Sequence, residues 1–95
     1  DIESIDEDGQ RIYIEVKSTV SDDPAGAFEI SEAELLFALR HRSRYYVYRV
    51  TQAHTKRPSI MRFQDPIGRI HDHTARLRLS GARITFLSGA SDAHV

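Results

Sequence analysis

The stretch IYIEVKST, residues 12–19, decides the fold. In extended backbone the side chains alternate, so Ile12, Ile14 and Val16 share one face and Tyr13, Glu15 and Lys17 the other. The apolar set reads as a core face. The second set puts a carboxylate beside an ammonium, either on a solvated surface or as half of a reactive site. Upstream, Asp1-Ile2-Glu3-Ser4-Ile5 alternates in the same way, and Glu7-Asp8-Gly9 reads as a three-residue hairpin loop with Gly9 in the left-handed position. That loop pairs Asp6 with Gln10. It then sets Ile5 opposite Arg11, Glu3 opposite Tyr13 and Asp1 opposite Glu15. A slip of one residue would pair Asp1 with Ile14 and put the two strands' faces out of step. Opposed carboxylates repel. A hard divalent cation would relieve that repulsion, because Mg²⁺ binds through one or two carboxylates and keeps several waters. Lys17, two residues beyond Glu15, reaches the same place from the side.

Working outward, Ser31-Glu32-Ala33-Glu34 has the form of a capping box, with Ile30 and Leu35 placed as a hydrophobic staple. Arg40, His41 and Arg42 fall where cations suit the negative end of a helix dipole, so a helix is expected over 31–42. Tyr45-Tyr46-Val47-Tyr48-Arg49-Val50 is aromatic and β-branched and reads as a central strand over 45–52. A further strand is expected over 59–63. Pro66 and Gly68 read as breakers, and Ser80-Gly81 as the turn of a strand or hairpin within 76–87. The expected fold is α/β, a mixed sheet flanked by the 31–42 helix. It forms one domain over 1–87, a fragment of a larger protein, with residues 88–95 as a flexible tail.

The bulk numbers agree with a single small domain. In 95 residues, 40% are hydrophobic and 28% charged, which excludes disordered and membrane-spanning classes. There is no cysteine, so disulfides and thiolate metal sites are excluded and a reducing compartment is expected. The net charge of −1 conceals a division along the chain. Residues 1–34 carry eleven acids against Arg11 and Lys17, whereas residues 35–64 carry seven bases and no acid. Within that basic half, Arg40, Arg42, Arg44, Lys56 and Arg57 form the candidate nucleic-acid contacts.

Asp1 followed after a hairpin by Glu15-Val16-Lys17 resembles the D…(D/E)-x-K signature of the PD-(D/E)xK nucleases, the restriction endonuclease-like superfamily. The wider run is closer to one branch. D-I-E-S, then Y-I-E-V-K-S-T, then F-E-I-S-x-x-E-x-x-x-A at 28–38, then Y-Y-V-Y-R-V at 45–50, is similar to the domain at the C-terminus of the plant NO VEIN protein and of many bacterial helicase- and restriction-associated proteins. E-x-K alone is a weak signal; four blocks in order over residues 1–66 are a strong one. The resemblance implies a restriction endonuclease-like fold whose N-terminal helix and strand would precede Asp1. It also implies Mg²⁺, with Mn²⁺ as a substitute, held by Asp1, Glu15 and the Val16 carbonyl, with Lys17 positioning or activating the attacking water. The implied catalytic set is Asp1, Glu15 and Lys17. The expected function is hydrolysis of DNA phosphodiester bonds within a larger protein of the bacterial cytoplasm. The expected partners are DNA, the parent's other domains and a second copy of the chain, with no membrane. The alternative is a non-catalytic module that keeps the fold and docks nucleic acid or a partner protein.

Other residues have two readings each. Glu34 is explained by the capping box, although a helix glutamate joins the metal site in some of these nucleases. Arg49 reads as a buried arginine paired with an acid, with contact to the scissile phosphate as the alternative. Tyr45, Tyr46 and Tyr48 read as core packing before base stacking. His71-Asp72-His73 has zinc-like spacing but no third ligand in view.

Overall fold

The computed structural model describes residues 2–86. Four strands form one mixed sheet in the order β1 (Ile2–Ile5), β2 (Arg11–Ser18), β3 (Tyr45–Thr51) and β4 (Ser59–Gln64). Neighbours β1–β2 and β3–β4 are antiparallel, and β2–β3 is parallel. A parallel pair requires a crossover, and helix α1 (Glu32–His41) supplies it, followed by a 3₁₀ turn over Arg42–Arg44. The α/β architecture expected from the sequence is therefore present.

The hairpin follows its turn chemistry. Gly9 has φ 77°, Asp6 N donates to Gln10 O at 2.8 Å, and Asp6 Oδ1 accepts from the backbone N–H groups of Asp8 and Gln10. The resulting register pairs Ile2 with Ile14, Glu3 with Tyr13, Ser4 with Ile12 and Ile5 with Arg11. That is the expected register over the described strand; the expectation that Asp1 opposes Glu15 lies outside the described residues, as do the tail and the last residue of the proposed domain.

Helix α1 starts where its capping box requires. Ser31 Oγ accepts from Glu34 N at 3.1 Å, and Glu34 Oε1 accepts from Ser31 N at 2.9 Å. The helix lies on the sheet through its aromatic stripe, with Phe37 edge-on to Tyr13 at 4.9 Å and His41 4.3 Å from the same ring. Between helix and sheet Ala38, Tyr45 and Val47 are buried, and Tyr13 and Ile67 pack against them.

This packing corrects the reading of the faces. Both helices cover the face of Tyr13, Glu15, Lys17, Tyr45, Val47 and Arg49; the face of Ile12, Ile14 and Val16, taken for the core, carries no helix among the described residues. Ile14 is still buried, because a central strand is shielded by its neighbours, whereas Ile2, Val16 and Ile60 are exposed. The aromatic and alanine stripe of α1 fits the Tyr13 side, and the charges on that side are satisfied locally, as described below. Tyr45 is core as expected. Tyr46 and Tyr48 are half-buried on the open face, their rings perpendicular.

The chain after β4 also differs from expectation. Pro66, read as a breaker, opens a second helix, α2 (Pro66–His71), with Asp65 as its N-cap. Asp65 Oδ1 accepts from Gly68 N at 2.9 Å, and a Cβ at Gly68 would come within 2.6 Å of Asp65 Oδ2, so a larger residue there would push the capping carboxylate out of place. Proline at a first helical position gives up a hydrogen bond that the helix could not have made. The strand or hairpin expected within 76–87 does not form over its described part; Leu79, Ile84 and Phe86 are exposed in irregular backbone.

Val47 is 2% exposed and central to the cluster, whereas Val50 is half-buried on the open face. Val47→Ala is expected to cost about 2 kcal/mol and Val50→Ala clearly less, as read from urea-unfolding midpoints.

Candidate functional site

The register of β2 against β3 places Glu15 beside Val47 and Lys17 beside Arg49, on the helix-covered face near the C-terminal ends of the two parallel strands. Ligands of parallel sheets commonly bind at that end. Val16, between them, sends its side chain to the opposite face and is 40% exposed.

Helix α1 adds a third charged group. Lys17 Nζ donates to Glu34 Oε1 at 3.0 Å and Oε2 at 3.2 Å, and lies 3.6 Å from Glu15 Oε1. Two carboxylates from different elements thus converge on one ammonium under the first turn of a helix. All three side chains are largely shielded, between 11% and 22% exposed. Glu34 therefore caps the helix and also joins the site. The capping-box reading was correct but incomplete, because sequence spacing shows what a residue does within its own helix and not what lies across from it.

The two carboxyls titrate in opposite directions. Burial pushes Glu15 above the ordinary carboxylate value, reinforced by the adjoining Glu34 and opposed by Lys17. Glu34 is lowered to about 2, first by the Ser31 backbone N–H, then by a hydrogen bond with Glu15 and by Lys17. Close carboxyls commonly split their titration in this way. Tyr45 is raised to about 12 by burial and then by the charges of Glu15 and Glu34, and its hydroxyl makes no hydrogen bond among the described residues. Carboxyls pushed apart in this way inside a packed layer are a frequent mark of a functional site.

The groups expected to bind nucleic acid are not brought into one cluster. Arg42 Nε pairs with Asp65 at 3.2 Å and Arg44 donates to Gln10 at 2.7 Å, both at the start of β3. Arg40 is exposed in the last turn of α1. Lys56 and Arg57 are exposed in the β3–β4 connection, at the far end of a seven-residue strand, about 20 Å away at the usual rise per residue. Arg49 is buried as expected, but its described contacts are to two backbone carbonyls and the face of Phe28, not to an acid. His71 and His73 are exposed in and after α2. Among the described residues no group of three or more His, Asp or Glu side chains is placed to hold a metal ion. Asp1 lies outside them. Glu15 and Glu34 are two converging carboxyls, the share that a protein usually gives to Mg²⁺, and their crowding is what a hard cation would relieve.

The family model for the C-terminal domain of protein NO VEIN matches residues 1–63, which span the hairpin, α1, β3 and most of β4. The chain belongs to the NO VEIN C-terminal family. No curated protein and no solved structure matches it. No helix among the described residues is long and apolar enough to cross a membrane.

The shifted carboxyls set the pH response. Glu34, lowered from 4.5 to about 2, contributes stability that is present above its unfolded value and lost as pH falls through that interval. Glu15, raised, acts in the opposite sense: its contribution is present below 4.5 and lost as pH rises through its folded value. Glu34→Gln keeps a capping side chain but removes the charge. It is expected to cost about 1–2 kcal/mol at pH 7, part of the loss being offset by relief of Glu15. The deficit should shrink between about pH 5 and pH 2 in denaturant titrations.

Proposed function

We propose that the chain is a metal-dependent nuclease domain that hydrolyses DNA phosphodiester bonds as part of a larger, helicase- or restriction-associated protein of the bacterial cytoplasm. The observation that carries this reading is the convergence of Glu15, Lys17 and Glu34 within 3.6 Å on one shielded face of the sheet. Its form is that of the E-x-K strand of PD-(D/E)xK nucleases, followed by a crossover helix and a parallel strand. The order of elements supports the likeness; fold alone does not establish activity.

In this reading Glu15 and Glu34 would hold Mg²⁺ or Mn²⁺, with the Val16 carbonyl and Asp1 as the further ligands that the resemblance implies. When bound, the metal would supply Lewis-acid polarisation of the phosphoryl oxygen and lower the pKa of a bound water. The chain's own groups do the rest. Lys17, fixed by a contact to each carboxylate, acts as a held charge that orients the attacking water. Glu34 ties that charge to the helix cap, so the first turn of α1 keeps Lys17 from swinging into solvent. The layer of α1 over β2 and β3 restricts water around the reacting groups, which strengthens every electrostatic contact beneath it.

With a labelled duplex, Mg²⁺ or Mn²⁺ is expected to support cleavage. Ca²⁺, larger and looser in geometry, should permit binding with little turnover. Glu15→Ala and Lys17→Ala should each lower the rate by about 100-fold or more. Undiminished cleavage by the Glu15→Ala protein, or cleavage in excess chelator, would refute the assignment. DNA binding that is never followed by cleavage would identify a docking module instead.

A further inference from the structure

Arg49 presents a buried cation that forms no ion pair with an acid among the described residues. The residue is 3% exposed, in the central strand β3, next to Lys17 across the parallel pairing. Its Nη1 donates to Lys17 O at 2.9 Å, which fixes the plane of the guanidinium. The opposite edge is poorly used. Nη2 reaches only Gly26 O at 3.5 Å, and Nε, fully buried, makes no hydrogen bond among the described residues. The Phe28 ring lies 5.1 Å from the guanidinium carbon. A buried charge without a counter-charge is costly, and an idle Nε–H adds the cost of an unmade hydrogen bond.

The edge formed by Nε and Nη2 is the fork with which arginine takes two oxygens of one anion. It adjoins the Glu15, Lys17 and Glu34 cluster through the Lys17 backbone. Its present cover, Gly26 and Phe28, belongs to the irregular connection between β2 and α1. A single long contact is all that Gly26 contributes, so an anion that displaced it would exchange one weak acceptor for two charged ones.

We propose that Arg49 is the phosphate-binding residue of this site, its Nε–Nη2 edge receiving two oxygens of a backbone phosphate of the bound strand. This rests on the phosphodiester reading above and extends it. The metal-side carboxylates and Arg49 flank Lys17, so a phosphate held by the arginine stands beside the group that orients water. Arg49 acts on the substrate and not through Lys17. Access for the phosphate requires displacement of the Gly26 and Phe28 contacts from the guanidinium.

The test is binding of a fluorescein-labelled 20-base-pair duplex by the full chain in Ca²⁺, measured by anisotropy across a salt series. Arg49→Gln should weaken binding about 10-fold at low salt and reduce the slope of log affinity against log salt by about 0.9, the loss of one neutralised phosphate. Arg49→Lys should restore the slope but not the full affinity, since lysine is a point charge without the fork. A folded Arg49→Gln protein with the wild-type slope overturns the proposal, as does wild-type protein that binds no duplex. Should the glutamine variant fail to fold, ¹⁵N spectra of the wild-type arginine Nε–H groups during titration with the duplex decide. A shift of the Arg49 resonance supports the proposal and a fixed resonance overturns it. Cleavage in Mg²⁺ is scored separately. A slope change without any cleavage leaves Arg49 as a phosphate contact and refutes hydrolysis; cleavage with an unchanged slope does the reverse.

Discussion

Glu34 has two obligations, and the arrangement of the sheet and helix follows from both being met. Its carboxylate accepts from the Ser31 N–H at the start of α1 and from Lys17 Nζ on β2, so the helix cap and the sheet charge are closed by the same two oxygens. Without that closure the Lys17 ammonium would enter a packed layer with its 3.6 Å contact to Glu15 but without the two closer Glu34 oxygens. Buried pairs of that kind are stable only when further hydrogen bonds satisfy them. The Ser31 cap supplies one, and it holds Glu34 in its ionised form while Glu15 is driven toward protonation.

The same constraint explains which face of the sheet is covered. The apolar residues Ile12, Ile14 and Val16 do not attract the helix, although hydrophobic area alone would favour them. Helix α1 has a short stripe of Phe37, Ala38 and His41, and these meet Tyr13, Tyr45 and Val47. Aromatic edges and one small residue allow close approach, and the polar groups at the helix start lie over the polar groups of β2. The open face keeps Ile14 shielded by the strands on either side, while Ile2, Val16 and Ile60 remain exposed.

Charge on this face gathers along β2 and β3 and the start of α1: the Glu15 and Glu34 carboxyls, the Lys17 ammonium that contacts both, and next to it the Arg49 guanidinium, which meets the Lys17 carbonyl closely and the Gly26 carbonyl only at 3.5 Å. A structural ion-pair network would be expected to neutralise its last member. Membership of the NO VEIN C-terminal family covers all of these residues, since they fall within 1–63.

Much of this was legible in the sequence. Gly9, with Asp6 and Gln10, set the hairpin and its register, because a three-residue loop leaves one pairing that keeps the side-chain faces in step. Ser31 and Glu34 set the helix start, because a capping box is a contact within four residues. The alternation of β2 and the β-branched run of β3 determined the strands, since period two is imposed by the pleat itself. Asp65-Pro66 was an equally local signal, cap followed by proline, and it was available for α2. What only the tertiary structure decided depends on residues far apart in the chain: that the charged face of β2 and not its apolar face lies under the helices, that Glu34 leaves its cap geometry unchanged and still reaches Lys17, and that Arg49 is buried with no acid partner among the described residues. Local spacing determines backbone form, because its energies lie within one or two turns. Which face is buried and which charges meet is decided by the docking of whole elements, whose complementarity exists only once the parallel pairing of β2 with β3 brings residues 17, 34 and 49 together.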